Sequence, residues 1–347
     1  VNYRYAKPKK FNFSFGGNFS SADFTRTDRR VDTSVHYNFT NLFPRANLNY
    51  TLPNSGNLRF NYYGNTRAPS IDQIQPVKDN TDELNQRIGN PNLKQSFSQS
   101  FNLNYNKYVL IGDQYMSAGV NYGTTKNAFS SISFVDALGK RITQPTNVNG
   151  NHYYGARMYY TKKLGTTPIR LGGSLDASKN FNTNYVNNLI NNNKSTDLEI
   201  GPSFSWDKAK KFEINIYTGI NYVKSVSSIR PDEPTQYWTQ NYNVRGLIFL
   251  PWKLELSSDA SINIRQRTDA FDKNRNAIQW NAGLTKKILK DKGQIRLSMS
   301  DILNQNIGFQ RDVTSNFINE RTYNRIQRYG LLTFIYNFSK NGKPQSW

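Results

Sequence analysis

Along most of the chain, apolar and polar residues alternate one by one. In residues 211–223, Phe212, Ile214, Ile216, Thr218, Ile220 and Tyr222 alternate with Glu213, Asn215, Tyr217, Gly219 and Asn221. A period of two sends successive side chains to opposite faces of an extended strand. The alternation recurs at Ile169, Leu171, Gly173 and Leu175 against Arg170, Gly172, Ser174 and Asp176. It returns at Trp252, Leu254 and Leu256, at Ile295, Leu297 and Met299, and at Phe11, Phe13 and Phe15. Leu48, Tyr50 and Leu52, then Phe101, Leu103 and Tyr105, and finally Leu332, Phe334, Tyr336 and Phe338 complete the series. No stretch of helical period competes, so the pattern predicts an all-β chain.

Turn residues divide the chain into about fourteen long strands, against a mode of roughly 5–6 residues for strands of soluble sheets. Short connections fall at Lys7 to Lys10, Pro53 to Asn57, Lys107 to Asp113, Gly165 to Pro168, Asp207 to Lys210, Pro251 and Asp291 to Gly293. Long ones fall at 68–94, 126–149, 183–195, 229–235, 269–276 and 311–320. Short turns at one rim and long loops at the other define an antiparallel up-and-down transmembrane β-barrel whose tilted strands need ~9–11 residues to cross. Trp206, Trp252, Phe212, Tyr50, Tyr108 and Phe338 lie beside the short turns, and Phe181, Tyr185, Tyr237 and Trp238 near the long loops. Two aromatic girdles are thereby predicted.

Composition sharpens this picture. The 347 residues include no cysteine, 22 Tyr and 21 Phe, which rules out a disulfide scaffold and demands a place to bury many rings. No apolar run reaches the ~18 residues of a transmembrane helix. The 45 basic and 24 acidic side chains leave a net charge of +21, which by itself points to nucleic acid. The lysines, however, circle the short-turn rim: Lys7, Lys9, Lys10, Lys107, Lys162, Lys163, Lys208, Lys210, Lys211, Lys253, Lys290, Lys292, Lys340 and Lys343. There they can snorkel to lipid phosphates, and no nucleic-acid partner is expected. The longest loop instead carries Asp72, Asp79, Asp82 and Glu83, at spacings unlike a calcium loop.

Residues 42–97 run as a strand with Leu48 and Tyr50, a tight turn, and a strand with Phe60 and Tyr62. Then come Arg67-Ala68-Pro69-Ser70, a loop ending in Gly89-Asn90-Pro91-Asn92-Leu93, and a strand from Phe97. This order resembles the barrel region of TonB-dependent receptors, in the outer-membrane β-barrel branch rich in Asn and Tyr. Asp301-Ile302-Leu303-Asn304 is similar to that family's Asp-x-x-Asn stretch, whose physical role reads as a turn with Asx hydrogen bonding. The aromatic last strand, with Phe334, Tyr336 and Phe338, resembles the signal read by the barrel-assembly machinery, although Ser339 to Trp347 follow it. The resemblance implies a single β-barrel domain over residues 1–347, the C-terminal part of a barrel of about 22 strands. On that expectation a plug, a TonB-contacting segment and about eight strands lie before Val1, and Val1 to Tyr5 end one such strand. A complete barrel of about fourteen strands is the alternative.

Enzymatic constellations fail on inventory: His36 and His152 stand alone, and neither a Gly-x-Ser-x-Gly nor a Walker loop is present. No enzyme activity, cofactor or metal is expected. The expected location is the Gram-negative outer membrane, with the lipid bilayer and lipopolysaccharide as surroundings. The resemblance implies a TonB-dependent importer of a siderophore, glycan, peptide or similar nutrient, coupled to the TonB energy-transducing complex and able to pair with a surface lipoprotein. The alternative is a non-importing barrel in assembly, secretion or surface scaffolding. Glu213, Asn215, Asn221, Arg170, Asp176 and Arg296 are expected in the bore. Tyr63, Arg67, Arg230, Tyr237 and Trp238 are the candidate ligand-binding residues near the outer rim.

Overall fold

The computed structural model describes every residue except 9, 29–32, 54, 80–82, 136–138, 268–275, 307, 314–317 and 339–347. Lys9, Asp82, Lys340, Lys343, the segment after Phe338 and nearly all of the loop expected at 269–276 therefore lie outside the described residues.

Among the described residues, fifteen strands follow one another in a single antiparallel meander. They are β1 (Asn2–Lys7), β2 (Phe11–Asp28), β3 (Thr33–Thr51), β4 (Gly56–Arg67), β5 (Ser96–Val109), β6 (Gln114–Lys126), β7 (Asn151–Lys163) and β8 (Ile169–Val186). Then come β9 (Leu189–Lys208), β10 (Phe212–Ser227), β11 (Arg230–Leu250), β12 (Leu254–Arg265), β13 (Ala277–Ile288), β14 (Gly293–Ser300) and β15 (Tyr329–Tyr336). Each is hydrogen-bonded to the next along the chain. The number exceeds the expected fourteen by β1, the short segment read from sequence as a strand end. No pairing among the described residues joins β1 to β15.

The register turns the sequence alternation into two continuous surfaces. Phe13, Leu48, Phe60, Leu103, Val120, Ala156, Ala177, Leu198, Tyr222 and Trp238 stand opposite one another from β2 to β11. Phe212, Ile248, Leu256, Leu284, Leu297 and Leu332 carry a parallel row from β10 to β15. Among the described residues nothing packs over this face: Ile200, Leu297 and Phe334 are 57%, 58% and 61% exposed. Leaving such side chains in water instead of an apolar medium costs ~1.5–3 kcal/mol each, so this face is built for hydrocarbon. Aromatic girdles form as well, although two of their expected members, Tyr108 and Tyr237, face the bore. Outward-facing Tyr62, Phe101, Tyr122 and Tyr154 form a chain of rings 4.9, 6.0 and 5.1 Å apart on the loop side, and Trp206 meets Phe212 edge-on at 4.8 Å near the turns.

The described apolar side chains that are buried lie mostly outside the wall. Ile74, Leu93, Ala128 and Val148 belong to a small module that the β4–β5 and β6–β7 connections build at the long-loop rim. There, beyond a short helix α1 (Ile71–Ile74), the strands Lys78–Asp79, Asn85–Ile88, Ala128–Val135 and Arg141–Val148 pair together, with Arg141 to Thr143 parallel to Asn85 to Arg87.

This module corrects the sequence reading of 68–94 and 126–149 as loops. Two further long loops also resolve into strand, because β8–β9 and β10–β11 continue pairing beyond the apolar band. The first hairpin closes at Asn187 and Asn188, whose positive φ of 47° and 63° asparagine tolerates better than most residues. The second closes at Ser228 and Ile229. Part of 311–320 pairs as well, Gly308–Val313 against Ile318–Tyr323. In the other direction, Trp252 is not a strand residue. It sits in a one-turn 3-10 segment, Pro251–Lys253, at φ 59° and 81% exposed. Pro251 has no N–H to offer the ladder, which ends the strand there.

The two faces predict opposite tolerances. Leu175→Arg, in the middle of the outward band, should destabilise the lipid-reconstituted protein by ~2–4 kcal/mol. Asp176→Asn, one residue away on the other face, should cost well under half of that. Urea unfolding in vesicles compares them, and equal or reversed losses would refute the assignment of faces.

Candidate bore and outer-rim sites

The face opposite the apolar band is polar. One row across it reads Arg170, Ser205, Asn215, Arg245, Asp259 and Asn281, each directly opposite the next from β8 to β13. Two residues further along, Ser203, Tyr217, Asn243, Ser261 and Gln279 form a second row. Up to Asp259 in the first row and Ser261 in the second, these side chains, together with Tyr159 and Thr161, line a groove of about 460 Å3. Its polar groups are tied down: the Tyr217 hydroxyl donates to Glu199 at 2.7 Å, and the Asn281 amide to Asp259 at 2.7 Å. Lys287 reaches Glu255 at 2.5 Å on the same face. By register the expected bore residues Glu213, Asn215, Asn221, Arg170, Asp176 and Arg296 all belong to this side.

At the short-turn end the groove is anchored by Asp113, in the β5–β6 turn. Its carboxylate accepts from the Arg170 guanidinium and from the Tyr108 hydroxyl, the latter at 3.0 Å. Arg170 foremost, then Tyr108, holds the Asp113 carboxyl below the usual carboxylate range.

The opposite rim is organised by the Gly-Asn-Pro-Asn stretch. The backbone N–H of Asn90 donates to the Gln73 carbonyl at 2.7 Å, and its side-chain amide donates to the Pro145 carbonyl at 3.0 Å. Asn147 accepts from the Lys94 N–H at 2.7 Å and donates to the carbonyls of Lys94 and Asn127. Gly89 must be glycine, because a Cβ there would lie 2.1 Å from the Gln75 carbonyl oxygen. The stretch thus clamps two connections together. Beside it opens a groove of about 450 Å3 whose lining includes Asn85, Arg87, Phe129, Ser131, Arg141 and Thr143. The register puts these six on one face of the module.

The candidate ligand-binding residues separate. Tyr63 is on the bore face of β4, its hydroxyl donating to Asn47 at 3.3 Å. The Arg67 guanidinium lies 5.8 Å from the centre of the Phe129 ring, next to the rim groove. Tyr237 is on the bore face of β11 beneath the Arg265 guanidinium at 4.3 Å. Trp238 is on the lipid face, its ring 4.9 Å from Tyr222, and Arg230 is exposed beside Glu233 at 3.9 Å. Seven strand junctions separate β4 from β11, so the five residues do not form one site. Arg87 and Arg141 escaped the sequence reading. The sequence carried no clear signal for them: even in the paired strand beside Arg141, apolar residues stand in both sets, Phe129, Ser131 and Ser133 against Ser130, Ile132 and Phe134.

The second motif is a built turn. Asp301, 3% exposed and at φ 50°, accepts the backbone N–H groups of Gln305 at 2.9 Å and Asn306 at 3.0 Å, one per carboxylate oxygen. The Asn304 side chain in turn accepts the Arg328 N–H at 3.2 Å, fixing the approach to β15. On β15, Phe334 and Tyr336 point outward, and the Phe338 ring meets Tyr336 at 4.6 Å.

Apolar band, paired aromatic girdles, polar opposite face and two unlike rims define a transmembrane wall of the outer-membrane type. The model of the outer membrane protein beta-barrel family matches residues 1–196 and 171–336, and the chain belongs to that family. Its place is the outer membrane. No curated protein matches the chain. Among solved structures, the TodX deltaS2S3 mutant monoaromatic hydrocarbon channel aligns at 10% identity over 96% of this chain and 91% of that one, with a TM-score of 0.32. A score that low carries nothing about function.

Two measurements test the anchors. The lowered carboxyl of Asp113 contributes stability that is whole above the usual aspartate range and is lost as pH falls through its depressed folded value. Asp113→Asn should therefore flatten the acid limb of the melting temperature against pH, and an unchanged limb would count against the Arg170 contact. Asp301→Ala leaves two amides without their acceptor and should cost ~1–3 kcal/mol. Wild-type unfolding midpoints would show that the turn does not depend on it.

Proposed function

We propose that this wall encloses the bore of a TonB-coupled importer rather than an enzyme. In this reading a plug and a TonB-contacting segment, carried elsewhere in the protein, fill the bore. The carrying observation is the continuous polar row from Arg170 to Asn281 behind a continuous apolar band. A lumen of charged and amide groups suits a stopper or a hydrophilic solute. At the outer rim, Arg67, Arg87 and Arg141 around Phe129 supply cations and a ring where a nutrient arrives. Siderophores, glycans and peptides all present groups that such a rim can hold. Tyr63 and Tyr237 stand further along the bore face, while Trp238 serves the girdle and Arg230 the exposed hairpin. A surface lipoprotein is the natural partner for the rim module, and Phe334, Tyr336 and Phe338 are the residues offered to the barrel-assembly machinery.

The test uses the intact protein extracted from outer membranes. It should be retained by immobilised TonB periplasmic domain and stay electrically silent in a planar bilayer until mild urea loosens the plug. Failure to be retained, or steady ohmic steps without urea, would replace the importer by a non-importing or open barrel.

A further inference from the structure

The outward face of β7–β10 carries a charge pattern that import does not use. Its outward positions on β7 are His152, Tyr154, Ala156, Met158, Tyr160 and Lys162, and those on β8 run from Ile169 to Tyr185 by twos. With the matching positions of β9 and β10, this surface presents five lysines and not one carboxylate. The carboxylates of the same strands, Asp176, Asp197, Glu199 and Glu213 among them, are all on the bore face. Two of the lysines, Lys162 and Lys208, lie at the short-turn end. The other three, Lys179, Lys194 and Lys224, lie at the long-loop end.

Their heights are set by the ladder. From Trp206 to Leu198 is eight residue steps, about 27 Å along the strand, or some 20 Å of membrane depth at a tilt of about 40°. That fills most of the ~25 Å apolar band of an outer-membrane barrel. The next outward row is Lys179, Thr196 and Lys224, with Thr196 directly opposite both lysines. Lys194 follows one outward position further, opposite Phe181 and Val226. Backbone spacing puts the three lysines within ~7–10 Å of their neighbours. The Lys179 ammonium sits 5.4 Å from the centre of the Phe181 ring, which itself stacks on His152 at 4.2 Å. Phe181 is two residues nearer the loops, so this charge is turned away from hydrocarbon and into the headgroup layer.

Three like charges on a low-dielectric wall repel one another, and the face offers no acid to offset them. An anion from outside the protein removes that cost. We infer that Lys179, Lys194 and Lys224 seat the phosphate groups of a phosphorylated glycolipid of the outer leaflet, of the lipopolysaccharide type. Its acyl chains lie along Leu175, Leu198, Ile200 and Ile220. This rests on the outer-membrane wall and its sidedness, not on the importer reading.

The experiment titrates the intact protein in detergent with phosphorylated lipid A, with the same lipid stripped of phosphate, and with inorganic phosphate, counting bound lipid by native mass spectrometry. Wild type and the opposite-rim control K162Q/K208Q should hold phosphorylated lipid A at least about tenfold more tightly than the stripped lipid. K179Q/K194Q/K224Q should lose that preference while keeping the heat-modifiable gel mobility of a folded barrel. If the triple variant does not fold, K194Q/K224Q serves, with a partial loss expected. Equal binding of both lipids by wild type, an undiminished preference in the lysine variants, or displacement of the lipid by millimolar inorganic phosphate would overturn the assignment.

Discussion

The whole structure depends on the obligation to pair every backbone N–H and C=O in a medium that contains no water. An antiparallel meander meets it strand by strand, since each strand from β2 to β14 uses its two edges on its sequence neighbours. The same ladder fixes the direction of each side chain. Once Leu198 is opposite Tyr222 on one side and Ala177 on the other, the polar residue between each apolar pair must look the other way. Sorting of side chains between lipid and bore is therefore a consequence of backbone pairing, and a slip of one residue at any junction would exchange the two faces.

This is why so much of the wall was legible in the sequence. Period-two alternation is a local signal, and inside the band one medium selects apolar residues at every second position. Beyond the band that selection ends. In β8 and β9, Asn182, Thr183, Asn184 and Asn191, Asn192, Asn193 are still paired strand, yet both faces meet water or polar partners and the alternation disappears. Residues 183–195 and 229–235 read as loops from sequence for that reason. Trp252 shows the reverse error: its spacing from Leu254 continues the period, but Pro251 has already broken the ladder on which that period depends.

The rim was less legible because its order comes from contacts distant in sequence. Asn90 with Pro145 and Lys94 with Asn147 are hydrogen-bonded across more than fifty residues. A sequence pass can recognise Gly89-Asn90-Pro91-Asn92 as a turn without seeing that it clamps a second connection. The groove beside it draws Arg87 from one connection and Arg141 from the other. By contrast, the physical role of Asp301 was readable. A buried carboxylate that accepts consecutive amides is a local device, and aspartate in a turn is its ordinary sign.

The net charge of +21 illustrates how an average misleads when a structure has two solvents. Nucleic-acid binding requires cations gathered on one exposed surface, whereas here they divide among bore, turns and membrane interfaces. In the bore, cations and carboxylates face one another, as Arg245 and Asp259 do across β11 and β12. At the short turns, Lys253 meets Asp291 at 2.9 Å. On the lipid face of β7–β10 acids are missing altogether: a short carboxylate there would be held against hydrocarbon, whereas the long stem of lysine can carry its charge past the band. Part of the excess of positive charge thus lies on the membrane-facing side, on the five lysines of that face.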